Sequence, residues 1–319
     1  MDFKTSAFIF PGQGSQSVGM GRDLAAAHAI AKQTFEEADS ILGFSLSQLM
    51  WDGPAETLNE TVNTQPALYV HSLAAWRVLT HQLPDPSAGS GQRVQPAALA
   101  GHSLGELSAL AASGALSFSE GLALVRTRGE LMKRAGDLAP GSMAAILGLD
   151  IPRLDKVCAE ASRAGETVQV ANDNCPGQVV ISGAKPAVER AVELAKAAGA
   201  KRALPLAVSI AAHSPLMDSI QTYWDSAVNA AHMHDASTPV YGNVAASALT
   251  AAADLRADIR AQMQSRVRWT ESVEAMIANG IRHFVEVGTG AVLIGLVKRI
   301  DSSVTSQVLG NPQDFSALG

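Results

Sequence analysis

Three features of this sequence predict a mixed α/β architecture, with one parallel sheet and a smaller unit inserted into the chain. An apolar run, Ala97-Ala98-Leu99-Ala100, stops at Gly101 and gives way to Leu107-Ser108-Ala109-Leu110-Ala111-Ala112, a stretch of helix formers. Similar alternation recurs near both ends, where Ala7-Phe8-Ile9-Phe10 and Phe284-Val285-Glu286-Val287 each lead through a Gly-containing turn towards helical sequence. Such alternation is the mark of βα units around a parallel sheet. From residue 140 the pattern changes to strand, helix, two strands, helix, strand, and this block lies between the two halves of the first pattern.

Taken in order, the first strand leaves through Pro11-Gly12-Gln13-Gly14-Ser15-Gln16. A Gly-x-Gly at this place suggests a dinucleotide loop. The third Gly is missing at the required spacing, however, position 17 is Ser, and no strand-end acid follows about twenty residues on. The nucleotide reading is rejected. The loop can still bring a side-chain amide or a main-chain donor to the end of the sheet, where open α/β folds bind ligands. Leu24 to Leu42 reads as helix closed by Gly43, and Trp51-Asp52-Gly53-Pro54 as a turn. Asn63-Thr64-Gln65-Pro66 starts a helix over Ala67 to Leu79, with Pro near its first turn. Pro84 to Gln92 is a solvent loop by composition. Ser117-Phe118-Ser119-Glu120 opens a helix that runs to Arg134.

In the inserted block, Met143 to Leu149, Val168 to Ala171, Gln178 to Ser182 and Arg202 to Val208 read as strands, and Ile151 to Arg163 and Ala187 to Ala198 as helices. The order β-α-β-β-α-β is the ferredoxin-like signature. Residues 139–206 are therefore expected to form a ferredoxin-like subdomain, inserted into a large domain made of residues 1–138 and 207–319. Asn172-Asp173-Asn174-Cys175-Pro176-Gly177 reads as its hairpin turn. Beyond it come a strand at Val240 to Val244, a helix through Ile259 to Met263, and a helix opened by Val267-Arg268-Trp269-Thr270. Gly288-Thr289-Gly290 then leads into the last helix; such a turn can cradle a phosphate, but the signal is weak by itself.

Composition narrows the function classes. The 319 residues fit one large domain plus a smaller one. With 47% hydrophobic and 17% charged residues and no run of about 18 uncharged apolar residues, the sequence reads as a soluble, non-membrane protein. Its first residues show no basic-then-apolar signal pattern, and two cysteines, Cys158 and Cys175, make neither a disulfide framework nor a metal knuckle. The expected location is the cytoplasm, with no metal. A net charge of −6 argues against nucleic acid as a partner.

The chemistry is expected at Gly101-His102-Ser103-Leu104-Gly105-Glu106. A G-x-S-x-G between a strand and a helix is a nucleophile elbow, as in an α/β-hydrolase-like domain. The turn puts the Ser in a sparsely populated backbone conformation, and the flanking glycines remove Cβ atoms that would collide. Ser103 then projects from the strand's carboxyl end, and the Leu104 amide points where an oxyanion would form. Of the eight histidines, His213 in Ser209-Ile210-Ala211-Ala212-His213-Ser214-Pro215 falls between an expected strand and helix, so it is the one placed to reach Ser103. His102, next to Ser103, is expected to point away. On the helix after Ser117, Leu124, Val125, Leu131 and Met132 share one arc of a wheel of roughly 100° per residue, and Arg128 falls in its middle. A core-facing guanidinium needs an anion. It either pairs with a carboxylate elsewhere in the fold or is held for a substrate carboxylate, which its planar fork contacts bidentately. Ser and His together make an acyl-transfer pair. No acid stands convincingly between them in the chain.

Five stretches, Phe10-Pro11-Gly12-Gln13-Gly14-Ser15-Gln16, the elbow hexapeptide, Arg128-Gly129, Asn174-Cys175-Pro176-Gly177-Gln178 and Glu286-Val287-Gly288, resemble the malonyl-CoA:acyl carrier protein transacylases of bacterial type II fatty acid synthesis, in order and with similar spacing from residue 6 to about 310. The resemblance implies Ser103 as nucleophile, His213 as base, and Arg128 as the clamp for the malonyl carboxylate. It implies an oxyanion hole from the main-chain amides of Gln13 and Leu104, Gln262 as the residue whose carbonyl orients the histidine, and Gln65 as a residue lining the acyl pocket. Malonyl-CoA and acyl carrier protein are the implied partners, with no resident cofactor, and the chain is expected to act as a monomer. Three departures stand out. Ala212 occupies a position where relatives often carry Ser or Phe, Thr289 and Ala291 replace a frequent Pro and Lys, and the Pro84 to Gln92 loop is longer than usual.

Acyl carrier proteins are acidic, so on a net-negative protein the carrier is expected to dock on a local basic patch. Lys201 and Arg202, with Lys196 close by, cluster where the insertion rejoins the large domain, and Lys298 and Arg299 end a helix near the same rim. Two other functions fit a Ser-His pair: a stand-alone acyltransferase for polyketide assembly, and a thioesterase or esterase. A non-catalytic docking subunit is disfavoured, since every catalytic position is filled.

Overall fold

The computed structural model describes residues 2–82, 95–206, 208 and 210–316. Eleven strands form two sheets among these residues: β1 (Ser6–Phe10), β2 (Ala98–Gly101), β3 (Gly141–Leu147), β4 (Val168–Cys175), β5 (Gln178–Ala184), β6 (Arg202–Pro205), β7 (Val240–Tyr241), β8 (Ala248–Leu249), β9 (Val267–Arg268), β10 (His283–Val287) and β11 (Thr305–Leu309). The first sheet has the order β11-β10-β1-β2-β7-β8 and is parallel apart from β8. β1 is apolar along its length because both of its faces are covered: Phe8 and Phe10 enter one helical layer, Ala7 and Ile9 the other. In a parallel sheet all carboxyl ends lie on one side, so the loops after β1, β2 and β10 meet there.

The second sheet has the order β6-β3-β5-β4-β9. Its first four members are antiparallel and come from segment 139–206, whereas β9 comes from outside that segment and pairs parallel to β4. Ala144, Ile146, Val168, Val170, Val179 and Ile181 bury one face against helices Ile151–Ala161 and Lys185–Ala197. The period-2 alternation then commits Met143 and Gln169 to the opposite face.

Several boundaries differ from those the sequence predicts. The helix expected over Leu24 to Leu42 is broken at His28, whose backbone is extended (φ −131°), giving Arg22–Ala27 and Ala29–Leu42; nothing in the residue types marks the break. The helix expected from Ala67 begins at Thr61 and runs to Gln82, with Pro66 inside it. Proline leaves the carbonyl four residues back without its helical donor, and the Val62 carbonyl instead accepts from Arg126 Nη1 at 2.9 Å. β4 continues through Asn172-Asp173-Asn174-Cys175, so the reading of that stretch as a hairpin turn is wrong; only Pro176-Gly177 turns. Register shifts at Val170/Asn172 and Asp173/Cys175 explain the misreading, since bulges accommodate residues that suit turns. β6 stops at Pro205, short of Val208. The loop expected at Pro84 to Gln92 lies outside the described residues. The helix expected from Ser117 is present as Phe118–Leu138, closed at its start by a Ser117/Glu120 capping box.

The junction between β2 and the helix Gly105–Ala112 depends on two glycines. A Cβ on Gly101 would lie 1.9 Å from the Gly105 carbonyl group, and one on Gly105 would lie 2.1 Å from the Phe10 carbonyl oxygen. Both obstacles are backbone and cannot rotate away. Gly101→Ala is therefore expected to cost at least about 2 kcal/mol in a denaturant titration; a midpoint equal to that of the unaltered protein would show that the strand and helix are not in this contact.

Candidate active site

Ser103 follows β2 with φ +52°, a left-handed conformation that L-residues adopt at a cost of about 1–2 kcal/mol. Three contacts hold it. Its N–H donates to Asn243 Oδ1 at 2.7 Å, its carbonyl accepts from Gln262 Nε2 at 2.9 Å, and Asn243 Nδ2 donates to the Gly101 carbonyl at 2.7 Å. Asn243 lies in the turn just after β7 and is 2% exposed, so one amide spans the elbow.

Ser103 Oγ lies 2.8 Å from His213 Nε2. His213 Nδ1 donates to the main-chain carbonyl of Gln262 at 2.9 Å. That carbonyl belongs to the residue just after helix Ala252–Ala261, where carbonyls lack their helical donors. With the proton fixed on Nδ1, the lone pair of Nε2 faces the serine hydroxyl. No strand precedes His213 among the described residues: positions 208 and 210–212 are irregular, and His213 itself takes φ +59°. The approach to Ser103 is thus set by a strained loop rather than a strand end. Burial, and after it the nearby Arg128 cation, pushes the His213 pKa down to about 3, so the ring is neutral at ordinary pH.

Arg128 is 1% exposed. Its Nη2 donates to Ser103 Oγ at 3.0 Å and to Gln262 Oε1 at 2.9 Å, and its Nη1 donates to Gln65 Oε1 at 2.9 Å and to Met132 Sδ at 3.3 Å. Its Nε has no partner. Of the two readings of Arg128, pairing with a carboxylate elsewhere fails on geometry, since none of its hydrogen-bond partners is an acid. Glu106, 1% exposed, makes no hydrogen bond to it and is joined to it through the Gln262 amide, whose Nε2 donates to Glu106 Oε2 at 2.6 Å. Burial first, and the neighbouring Asp258 carboxyl second, hold Glu106 well above the usual carboxylate range. Burial brings Arg128 down to about 10, still a cation at neutral pH.

A cavity of about 240 Å³ opens over these groups. Gln13, His102, Ser103, Leu104, Arg128 and His213 line its polar end, and Met143, Val180, Leu206, Val208 and Ile210 line its apolar wall. Gln13 reaches it because Gly12 lets the loop after β1 pack on the elbow: a Cβ there would lie 2.6 Å from the His102 carbonyl oxygen. Gln65 does not line this cavity. Its amide is occupied behind Arg128, between Nη1 and Met132, so its place is to hold the guanidinium. His102 does not point away; it lines the cavity and pairs with Asn174 Oδ1 at 2.8 Å, stacked edge-on against Trp269. Asn172 and Asn174, both on β4, line the cavity as well.

Lys201 and Arg202 are exposed on β6 and its approach and do not line the cavity. Lys196 is paired with Glu193 at 2.7 Å. Arg299 reaches Gln178 at the β4–β5 turn, which puts the end of its helix beside the second sheet. Sequence reasoning missed Asn243, Asn174 and Glu106. Glu106 stood inside the motif with no role, and the signal that could have singled it out is a carboxylate on a helix otherwise apolar enough to be buried all round.

Among known proteins, the acyl transferase domain family matches residues 7–310. The malonyl CoA-acyl carrier protein transacylase of Salmonella typhimurium is 45% identical over 311 residues, covering 98% of this chain and 97% of that one. The crystal structure of an acyl carrier protein S-malonyltransferase from Vibrio cholerae superposes with a TM-score of 0.92 at 44% identity, over 99% of this chain and 100% of the other. A malonyl-transacylase solved in complex with a type II PKS acyl-carrier protein superposes with a TM-score of 0.91 at 41% identity, over 98% of each chain. With the Ser-His-Arg geometry in place and likeness along nearly the whole length, the chain belongs to the acyl transferase family, among the malonyl CoA-acyl carrier protein transacylases.

Proposed function

We propose that this protein transfers the malonyl group from malonyl-CoA to the phosphopantetheine thiol of acyl carrier protein in a ping-pong cycle through malonyl-Ser103. The observation that carries the reading is Arg128: a buried cation 3.0 Å from the Ser103 hydroxyl, hydrogen-bonded only to neutral groups. Such a group favours an acyl chain that ends in a carboxylate. In the first half-reaction Ser103 gives its proton to His213 Nε2 and attacks the thioester carbonyl. The main-chain N–H groups of Gln13 and Leu104 receive the oxyanion. The carbon–sulfur bond breaks, and CoA leaves with the proton from His213. In the second half the carrier thiol gives its proton to His213 and attacks the ester, and Ser103 recovers its proton as the carbon–oxygen bond breaks. Each bond change is served by Ser103 and His213, without metal or resident cofactor. The carbonyl of Gln262 orients the histidine, Gln65 holds Arg128, and Ala212, on the cavity wall, leaves room beside the acyl α-carbon.

The same reading extends to the architecture. Residues 1–138 and 207–319 are taken as an α/β-hydrolase-like catalytic domain and 139–206 as an inserted ferredoxin-like subdomain. Support comes from the order β6-β3-β5-β4, the fourth, first, third and second strands of that segment, antiparallel and with two helices on one face.

The test is the covalent intermediate. Incubation with malonyl-CoA should give an intact mass increased by one malonyl group, absent in Ser103→Ala. Because the His213 pKa is depressed to about 3, against 6.5 for an ordinary histidine, the neutral base persists as pH falls. The acylation rate should then stay level from neutrality down to about pH 5. A folded protein with no adduct overturns the proposal.

Arg128 separates malonyl transfer from a Ser-His thioesterase or esterase. Arg128→Ala should cost about 2–4 kcal/mol in kcat/KM for malonyl-CoA and far less for acetyl-CoA; equal losses would favour a hydrolase for neutral esters. The relative solved with a PKS carrier favours a second reading, a stand-alone acyltransferase for polyketide assembly. Rates with carriers from the two systems distinguish them.

For the carrier, Lys201 and Arg202 form the proposed docking patch, which the exposure of both supports. Reversing both to Glu should raise the KM for carrier protein several-fold, more at low salt, where a Debye length of about 10 Å at 0.1 M lengthens. Acylation from malonyl-CoA serves as the reference reaction. A carrier KM left unchanged by the double reversal moves the docking face elsewhere.

A further inference from the structure

Two main-chain carbonyls beside the base converge on one side chain that the catalytic cycle leaves without a role. Gln169 lies on β4, on the face turned from the helices of the second sheet. Its Nε2 donates to the His213 carbonyl at 2.8 Å and to the Gln264 carbonyl at 2.9 Å. Both partners are acceptors, so both amide hydrogens are used and the amide can sit only one way round. The His213 ring meanwhile donates to the Gln262 carbonyl at 2.9 Å. Residue 213 and the turn 262–264 are therefore tied twice, once through the ring and once through Gln169. β4 is itself fixed to the chain just beyond that turn, where Asn172 pairs with Val267 and Asp173 with Arg268. Since His213 holds φ +59°, its backbone needs such external contacts to stay in place.

We propose that Gln169 is a positioning residue for acyl transfer: by holding the His213 and Gln264 carbonyls together, it fixes the backbone of the base relative to the carbonyl that orients its ring. The proposal rests on the reading of His213 as the base. Gln169 lies outside the residues lining the cavity, so its effect belongs in the chemical step rather than in substrate binding.

Gln169→Leu removes both donors at similar volume, and Gln169→Asn keeps an amide one methylene too short to span both carbonyls. A misplacement of about 1 Å at a catalytic group costs about a hundredfold. In Gln169→Leu, kcat for transfer and the rate of malonyl-Ser103 formation should fall together by about ten- to a hundredfold. The KM for malonyl-CoA should stay within about twofold, and Gln169→Asn should fall in between. Circular dichroism melts establish that each variant is folded. A folded Gln169→Leu with unchanged kcat, or with a raised KM and unchanged kcat, overturns the proposal. So does failure of both variants to fold, which makes the residue a structural tie. If the unaltered protein forms no malonyl adduct, it is the assignment of Ser103 and His213 that fails instead.

Discussion

Gln262 is the residue on which the geometry of the site depends. It is wholly buried, and each of its hydrogen-bonding groups meets a different part of the site. Its main-chain carbonyl takes the His213 Nδ1 proton, its Oε1 takes an Arg128 Nη2 proton, and its Nε2 serves both the Ser103 carbonyl and Glu106. Ser103, His213 and the Arg128 cation are therefore positioned against one amide group and one carbonyl. The position at the end of helix Ala252–Ala261 makes this possible, because a mid-helix carbonyl is already engaged.

A carbonyl in place of the acid of an ordinary Ser-His-Asp arrangement has an electrostatic consequence. A carboxylate against His213 would stand close to Arg128 and draw its charge. With a neutral orienting group, and with burial and Asp258 holding Glu106 well above the usual carboxylate range, no carboxylate is hydrogen-bonded to Arg128. Asp258 also accepts the N–H groups of Val244 at 3.1 Å and Ala245 at 2.6 Å. That contact fixes the loop bearing Asn243, and through Asn243 the elbow. The cation is desolvated and hydrogen-bonded only to neutral groups, which burdens the resting protein and favours binding of an anion.

What could be read from the sequence was what is local. Ser103 announces itself through a strand, two glycines and a helix within about a dozen residues, and Arg128 through its place among Leu124, Val125, Leu131 and Met132. The first sheet follows from runs such as Ala7-Phe8-Ile9-Phe10, which only a sheet covered on both faces can bury. The helix beginning at Thr61 was hidden because Pro66 looks like a start. It is tolerated inside only because Arg126, distant in sequence, takes up the Val62 carbonyl. Asn172 and Asn174 were hidden for the opposite reason. Their residue types argue for a turn, and it is bulged pairing with β5 and the partner His102 that make them strand. Asn243 and Gln169 carry no local signal at all, because their partners stand 140 and 44 positions away for Ser103 and His213.

The two strained residues show how the long-range contacts and the reactive ones are related. Ser103 and His213 are two of the three described non-glycine residues with positive φ, and they are the pair that face each other at 2.8 Å. Each conformation costs free energy. In each case side-chain amides from elsewhere are attached to the backbone: Asn243 and Gln262 at the serine, Gln169 at the histidine. Amides suit this task because they offer donors and acceptors without charge, so they can fix a backbone beside Arg128 and leave its field unaltered. The second sheet is therefore more than a wall of the cavity. Through β4 it meets the serine side by Asn174 and His102 and the histidine side by Gln169, so the distance between Ser103 and His213 is set by how that strand is seated on the first sheet's loops.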